Sequence, residues 1–268
     1  MRCAVLGHPI AHSLSPVMHR AAYAHLGLSD WTYDAYDVDE DGLGGFVTGL
    51  DATWRGLSLT MPLKRVVLPL LDEVSAVAAA VGGVNTVVLE RGRSVGHNTD
   101  VPGIVAALHE RGVASAGSAC IVGAGATAAS AAAALHAIGV HRLVLAVREP
   151  SRAEVVADLV RSWGVDVRLR HLDEPATGER VDVSVSTVPS VAVAVVAEAL
   201  VAASDAVLDV VYDPWPPALA IVALGGGVPY VSGLDLLAHQ ASLQVALMTG
   251  REVPADQLRV AAERQLTR

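Results

Sequence analysis

Aromatic residues are scarce in this chain, with one Phe, four Trp and five Tyr among 268 residues. The core is therefore expected to consist mostly of Ala, Val and Leu. At 52% hydrophobic residues there is enough for one large domain or two small ones. Basic residues are the minority: 19 Lys and Arg face 28 Asp and Glu, for a formal net charge of −9. A nucleic-acid binder needs a basic face, so that class is excluded. A small acidic ligand is not, because a local site can be basic on an acidic protein. The two cysteines, Cys3 and Cys120, sit in short apolar runs and form no metal-like pair, which excludes a disulfide framework. Buried free thiols fit a reducing cytoplasm, and Met1-Arg2 followed by a short apolar strand does not read as a signal peptide. Residues 112–140 carry no Asp, Glu, Lys or Arg. Gly123 and Gly125 break that run, so it reads as a strand, a glycine turn and a buried helix rather than a membrane span of about 20 apolar residues.

What is present begins with Gly7-His8-Pro9-Ile10-Ala11-His12-Ser13-Leu14-Ser15-Pro16. Ser15 is a good N-cap and Pro16 a good first helical residue. A helix start leaves N–H groups unpaired and favours negative charge. If the chain approaches in extended form, Ser13 and Ser15 point the same way. Two readings follow: a capped helix with a polar turn, or a clamp for a small carboxylate.

The pattern predicts strands at Cys3–Leu6, Trp31–Val38 and Trp54–Leu59, with helices at Pro16–Leu26, Asp41–Leu50 and Pro62–Leu71. Val84–Leu89 and Ser94–His97 read as a hairpin around Arg91-Gly92. A second alternation starts near Val101. It has a helix at Val101–Arg111, a strand at Ala119–Val122, a helix at Ala126–Ile138 and a strand at Leu143–Val147. Ser151-Arg152-Ala153-Glu154 fits a capping box. Further strands are expected at Val165–Leu169, Val181–Ser186 and Ala206–Val211. An Ala/Val helix is expected over 191–203, and a long helix at Leu234–Met248. Alternating strands and helices predict an α/β class with largely parallel sheets.

The strand at Ala119–Val122 runs into Gly123-Ala124-Gly125-Ala126-Thr127-Ala128 and then a helix. This is G-x-G-x-x-G/A in the strand–turn–helix context that gives it meaning. Gly123 suits the tight turn, Gly125 the close approach of a pyrophosphate, and Ala128 close helix–strand packing. The phosphates would sit at the helix N-terminus. At the end of the next strand, the place of the usual ribose-binding acid is taken by Val147, followed by Arg148, Glu149 and then Arg152. Arg148 and Arg152 either bracket a 2′-phosphate, which favours NADP over NAD, or are solvated arginines at a helix start. Glu149 opposes a phosphate unless it points away.

Two polar segments, Ser58-Leu59-Thr60-Met61-Pro62-Leu63-Lys64 and Gly96-His97-Asn98-Thr99-Asp100, stand at strand ends, and Gly83-Val84-Asn85-Thr86 adds an amide. Open α/β sheets bind ligands at strand C-terminal ends. Lys64, Asp100 and Asn85 either converge on a polyhydroxylated substrate or are a surface charge, a helix cap and a turn residue.

These blocks, together with Val210-Val211-Tyr212-Asp213-Pro214 and Gly233 through Gln240, resemble the shikimate dehydrogenase family in combination and order, from residue 3 to about 250. The resemblance implies NADPH-dependent reduction of the C3 ketone of 3-dehydroshikimate to shikimate, in the pathway to aromatic amino acids. It implies a substrate domain at 1–100, completed by C-terminal helices from about 234–268, and a Rossmann-like doubly wound NADP domain at 101–233. The active site is implied in the cleft between them. By position, Lys64 and Asp100 match the catalytic pair. Ser13 and Ser15 match carboxylate-binding serines, and Thr60, Asn85, Tyr212 and Gln240 match substrate contacts. Gly123, Ala124, Gly125, Ala126, Thr127, Arg148, Arg152, Thr187 and Gly233 match the cofactor side. Either Lys64 or Asp100 can hand over the proton.

The chain also departs from the family's pattern. Val147 stands for a usual Asn, Glu149 for a frequent Thr, Ala126 for a common Gly, and Ser186-Thr187-Val188-Pro189 for a more usual Asn-Ala-Thr-Ser run. One alternative is an NAD-dependent quinate/shikimate or aminoshikimate dehydrogenase. Another is a non-catalytic dinucleotide-binding homologue, which would be expected to lose Lys64 or Asp100. No metal is expected: His8 and His12 are i, i+4, but Pro9 between them spoils helical ligand geometry. The expected partners are a small-molecule substrate, no nucleic acid and no membrane, in a monomer or homodimer.

Overall fold

Short β-rich runs separated by helical periodicity become two sheets in a computed structural model that describes residues 1–174 and 180–267. The chain divides into two compact units, Met1–Gly103 with Leu237–Arg268, and Ile104–Leu236. The divisions fall inside two helices rather than in flexible spacers.

The first unit contains β1 (Arg2–Gly7), α1 (Ser15–His25), β2 (Thr32–Asp37), α2 (Glu40–Thr48), β3 (Trp54–Leu59), α3 (Leu63–Val66), β4 (Glu73–Val74), α4 (Ala76–Val81), β5 (Thr86–Glu90) and β6 (Arg93–His97). The sheet order is β2-β1-β3-β5-β6-β4. β1 runs parallel to β2 and β3, whereas β3–β5 and β5–β6 are antiparallel. The sheet is thus mixed rather than largely parallel. The expected hairpin accounts for the β5–β6 step, its two-residue turn taking positive φ at Arg91 (53°) and Gly92 (75°) and reversing the chain without a crossover, while β5 itself already runs opposite to β3. Leu6, Leu43, Leu57, Leu59, Leu63 and Val67 lie in one buried cluster of this unit. α5 (Asp100–Glu110) then leads onward.

The second unit contains β7 (Ser118–Val122), α6 (Ala126–Ala137), β8 (Arg142–Val147), α7 (Glu154–Arg161), β9 (Asp166–His171), β10 (Val181–Ser186), α8 (Ser190–Val193), α9 (Ala197–Ala202), β11 (Ser204–Asp209), α10 (Ala218–Gly225) and β12 (Tyr230–Val231). The order is β12-β11-β10-β7-β8-β9, parallel throughout. This is the doubly wound arrangement, with its switch point between β7 and β10. α6 buries Ala128, Ala129, Ala131, Ala132 and Ala134, small residues that keep the helix close to the sheet. α11 (Gly233–Thr249) and α12 (Ala255–Leu266) complete the chain.

Several local expectations are corrected. Ser15 is not the N-cap of α1. That position falls to Leu14, whose φ of −85° and ψ of −6° are helical, so the residue between Ser13 and Ser15 is not extended. The capping box at Ser151 does not form. Pro150–Arg152 closes a short 3-10 turn instead, α7 starts only at Glu154, and its N-cap Ala153 has no side-chain bond to offer. Residues 62–71 divide into α3 and a 3-10 turn at Leu68–Leu70. Residues 191–203 likewise break, with a 3-10 turn at Ala194–Val196. Short α4, α10, β4 and β12 were not anticipated. Among the described residues, no helix is long and apolar enough to cross a membrane.

Candidate active site

Three strand ends of the first unit put polar side chains into a mostly buried cluster. β3 runs toward Lys64, β5 begins just after Asn85, and β6 ends just before Asn98-Thr99-Asp100. Lys64 Nζ donates to Asp100 Oδ2 at 2.7 Å. The two side chains are only 13% and 8% exposed. Lys64 is the chain's one lysine. Asp100 Oδ1 accepts from Asn85 Nδ2 at 2.8 Å. A buried carboxylate with charged and amide donors on both oxygens is well compensated.

This geometry bears on the surface-charge, helix-cap and turn readings of these residues. Asn98, not Asp100, serves the start of α5, its Oδ1 accepting from Val101 N at 3.1 Å while its Nδ2 donates to Gly83 O at 2.9 Å. Asp100 is thereby left to Lys64 and Asn85. Asn85 does hold a turn, since its Oδ1 accepts from Thr99 N at 2.8 Å. Its Nδ2 also faces Thr99 Oγ1 at 2.9 Å and Gln240 Oε1 at 3.1 Å. Gln240, on α11, is 8% exposed, and its N, Cα and Cβ lie within 3.3 Å of where a Cβ on Gly103 would be. Glycine at 103 therefore lets α5 and α11 approach closely enough for Gln240 to join the cluster.

Thr60 lies at the end of β3, its N–H donating to Leu6 O at 2.9 Å. Ser13 Oγ accepts from Ser15 N at 3.4 Å, and Ser15 is buried while Ser13 is half-buried. The serines thus sit in a turn entering α1. His8 is exposed and pairs with Asp37, Nδ1 to Oδ1 2.5 Å, a contact that raises its pKa. No group of three or more His, Cys, Asp or Glu that could hold a metal ion exists among the described residues.

In the second unit, Gly123 has φ of +111°, and a Cβ there would fall 2.4 Å from Thr187 Oγ1. Thr187 Oγ1 donates to Val122 O at 2.9 Å, so the turn is glycine for a structural reason. Gly125 differs. It is the N-cap of α6, and a Cβ on it would meet no protein atom within 4 Å. The protein's own packing does not require glycine there, whereas close approach of a phosphate would. Ala124, Ala126 and Thr127 complete this turn and the first turn of α6. A cavity of about 260 Å³ adjoins it, lined among others by Gly123, Ala124, Val147, Arg148, Glu149 and Arg152. The Glu149 carboxylate accepts from Ser151 Oγ at 2.9 Å and forms no ion pair with Arg148 or Arg152. Both guanidinium groups remain available to a phosphate. The residues present fit a 2′-phosphorylated dinucleotide. Gly233 opens α11, tight against the Val210 and Val211 carbonyls. Tyr212 follows β11 in this unit, half-buried.

The sequence of residues 5–87 matches the family model described as shikimate dehydrogenase substrate binding domain. A Moorella thermoacetica protein named shikimate dehydrogenase (NADP(+)) is 37% identical over 262 residues, covering 94% of this chain and 88% of that one. The chain belongs to the shikimate dehydrogenase family. The structure of the Mycobacterium tuberculosis shikimate dehydrogenase superposes with a TM-score of 0.87 at 39% identity, covering 98% of this chain and 99% of that one. The Thermus thermophilus shikimate 5-dehydrogenase, solved in complex with NADP(H) and shikimate, gives 0.83 at 32% identity, covering 98% and 99%. The resemblance noted from the motif blocks is borne out over nearly the whole chain, as is the mixed α/β, Rossmann-like architecture.

Sequence reading alone missed Tyr33 and Gln244, which join the same buried cluster. Gln244 stands four residues after Gln240 on one helix, so the two amides share a face, and that spacing was an available signal. Tyr33 carries no comparable mark.

Proposed function

We propose that this protein is an NADP-dependent shikimate dehydrogenase, reversibly reducing 3-dehydroshikimate to shikimate. The observation that carries the reading is the shielded Lys64–Asp100 pair, held by Asn85 beside further hydroxyl and amide groups. Residues 1–100, with the C-terminal helices from about 234, are proposed as the substrate half, and 101–233 as the cofactor half.

The chain's own residues divide the work as follows. Ser13 and Ser15 hold the substrate carboxylate. Thr60, Asn85, Tyr212 and Gln240 orient it through hydroxyls and amides. The Lys64 ammonium faces the carbonyl oxygen, stabilises negative charge as it develops there, and with Asp100 delivers the proton. Asp100 keeps that ammonium in place. Gly123, Ala124, Gly125, Ala126 and Thr127 would receive the pyrophosphate, Arg148 and Arg152 the 2′-phosphate, with Thr187 and Gly233 completing the site. When bound, the nicotinamide supplies or takes up the hydride. Use of NAD is the second reading, favoured by Glu149 lining the same cavity.

The test is an assay of nicotinamide absorbance with shikimate and quinate, each against NADP and NAD. Turnover mainly with shikimate and NADP supports the proposal. Turnover mainly with NAD or quinate overturns the specificity, and no turnover with any pair overturns the activity.

A further inference from the structure

A single run of hydrogen bonds crosses the interior of the first unit and ends on Asp100. Tyr33 Oη donates to Ser58 Oγ at 2.6 Å, and Ser58 Oγ donates to Gln244 Oε1 at 2.9 Å. Gln244 Nε2 donates to Thr86 Oγ1 at 2.9 Å, and Thr86 Oγ1 donates to Asn85 Oδ1 at 2.9 Å. Asn85 Nδ2 then donates to Asp100 Oδ1, which shares its carboxylate with Lys64. Tyr33, Ser58, Gln244, Thr86 and Asn85 are each no more than 3% exposed.

The direction of this run is forced by chemistry. A carboxylate only accepts, so Asn85 turns its NH2 to Asp100 and its carbonyl to Thr99 N and Thr86. An amide carbonyl also only accepts, so the one proton of the Thr86 hydroxyl goes to Asn85. Thr86 can then only accept from Gln244, which leaves Gln244 Oε1 for Ser58 and makes Tyr33 the donor to Ser58. Every dipole out to Tyr33 points its positive end toward Asp100, and such aligned bonds strengthen one another in a low-dielectric interior.

We infer that Gln244 is a positioning residue for the Lys64–Asp100 pair. It is the only member of the run on α11, and it joins the β2–β3 hydroxyls to the Asn85–Thr86 turn. Its three polar contacts include a further bond from Nε2 to Asn85 O at 3.3 Å, so one side chain orients both the backbone and, through Thr86, the amide of Asn85. Without it, the buried Thr86 and Ser58 hydroxyls must find new partners, and Asn85 loses one of the constraints that aim it at Asp100, keeping those from Thr99 and Gln240. The catalytic meaning of this rests on the reading of Lys64 and Asp100 as the reacting pair.

The test compares Gln244→Leu with Val245→Ala. Val245 is fully buried on the same helix and outside the run, so its truncation matches a loss of stability without touching the amide. Two readouts are taken at full folding: kcat for shikimate oxidation, and the side-chain 15N resonance of lysine, a single signal because the chain has one lysine. Gln244→Leu is expected to lower kcat by about tenfold or more and to move the Lys64 resonance, while Val245→Ala changes neither. Gln244→Glu keeps the shape and offers a donor only while protonated, so its kcat relative to wild type should fall as pH rises. Equal losses of kcat in Gln244→Leu and Val245→Ala, or an unmoved resonance in Gln244→Leu, overturn the inference. Failure of the wild-type protein to oxidise shikimate instead overturns the activity proposed above, and the resonance still decides the link from Gln244 to Lys64.

Discussion

Lys64 and Asp100 lie 36 positions apart in the chain and meet at 2.7 Å, each largely shielded from solvent. Replacing either leaves the other buried beside groups chosen for its partner. Lys64→Ala is expected to lower kcat by a factor of about a hundred to ten thousand, the usual worth of a positioned proton donor. Asp100→Asn should cost at least about a hundredfold on the same reasoning. Steady-state assays with shikimate check both, and wild-type kcat in either variant would remove that residue from the chemistry.

Arg148 lines the cavity beside the glycine turn and forms no ion pair with Glu149, whose carboxylate accepts from Ser151. A charge-assisted hydrogen bond is worth about 1.5–3 kcal/mol, roughly ten- to a hundredfold in affinity. Arg148→Ala should therefore weaken binding of NADP by that factor and leave NAD within about threefold. Calorimetric titration with both dinucleotides measures the difference, and equal weakening of the two would take the 2′-phosphate away from Arg148.

Gly123 cannot be replaced without moving Thr187. A Cβ would stand 2.4 Å from Thr187 Oγ1, on a backbone whose φ of +111° L-residues avoid. Gly123→Ala is expected to destabilise the protein by about 1–3 kcal/mol and to weaken dinucleotide binding, whereas Gly125→Ala should weaken binding with little loss of stability. Urea unfolding and dinucleotide titration of the two variants separate these effects.

His19 and Asp209 tilt the pH dependence of stability in opposite directions. His19 is wholly buried, stacks on Tyr33 at 3.9 Å between ring centroids, and donates from Nδ1 to Ser15 O at 2.9 Å. Burial pushes its pKa down to about 4. The unfolded chain takes up that proton near pH 6.5, so stability falls as pH drops from about 6.5 to about 4, by up to about 3 kcal/mol. His19→Phe should flatten that limb.

Asp209, at the end of β11, is also buried, and desolvation pushes its carboxyl up to about 6. Here the folded state holds the extra proton, so stability falls as pH rises from about 4 to about 6 and stays lower above it. Asp209→Asn should stabilise the protein above pH 6, by up to about 3 kcal/mol, and leave it nearly unchanged near pH 4. Urea unfolding at several pH values reads both slopes. An Asp209→Asn variant no more stable than wild type at pH 8 would show that the carboxyl is not strained by burial.

Much of the architecture was legible because it rests on local rules. Period-two and helical patterns placed most strands and long helices. A strand, two glycines and a small-residue helix marked the dinucleotide turn, and Arg148 and Arg152 followed Val147, which takes the place of the usual ribose-binding acid. The failures were also local in form, but tertiary in cause. Ser15 and Ser151 have the right residues for caps, yet the chain enters α1 in a helical conformation at Leu14 and spends residues 150–152 on a 3-10 turn. A cap needs an extended approach, and the packing of the preceding segment decides that.

By itself, the sequence determined which residue types were available at each strand end and the family to which their order belongs. It also determined that one lysine alone could act as the amine. Only the tertiary structure decided their employment. It assigned the helix start to Asn98 and so freed Asp100 for Lys64, gave Glu149 the Ser151 hydroxyl as a partner, and brought Gln244 from near the C-terminus to Asn85. These choices are competitions for a limited number of donors and acceptors among residues up to 186 positions apart. Burial makes every unsatisfied member costly, and no local pattern in the chain records which partner wins.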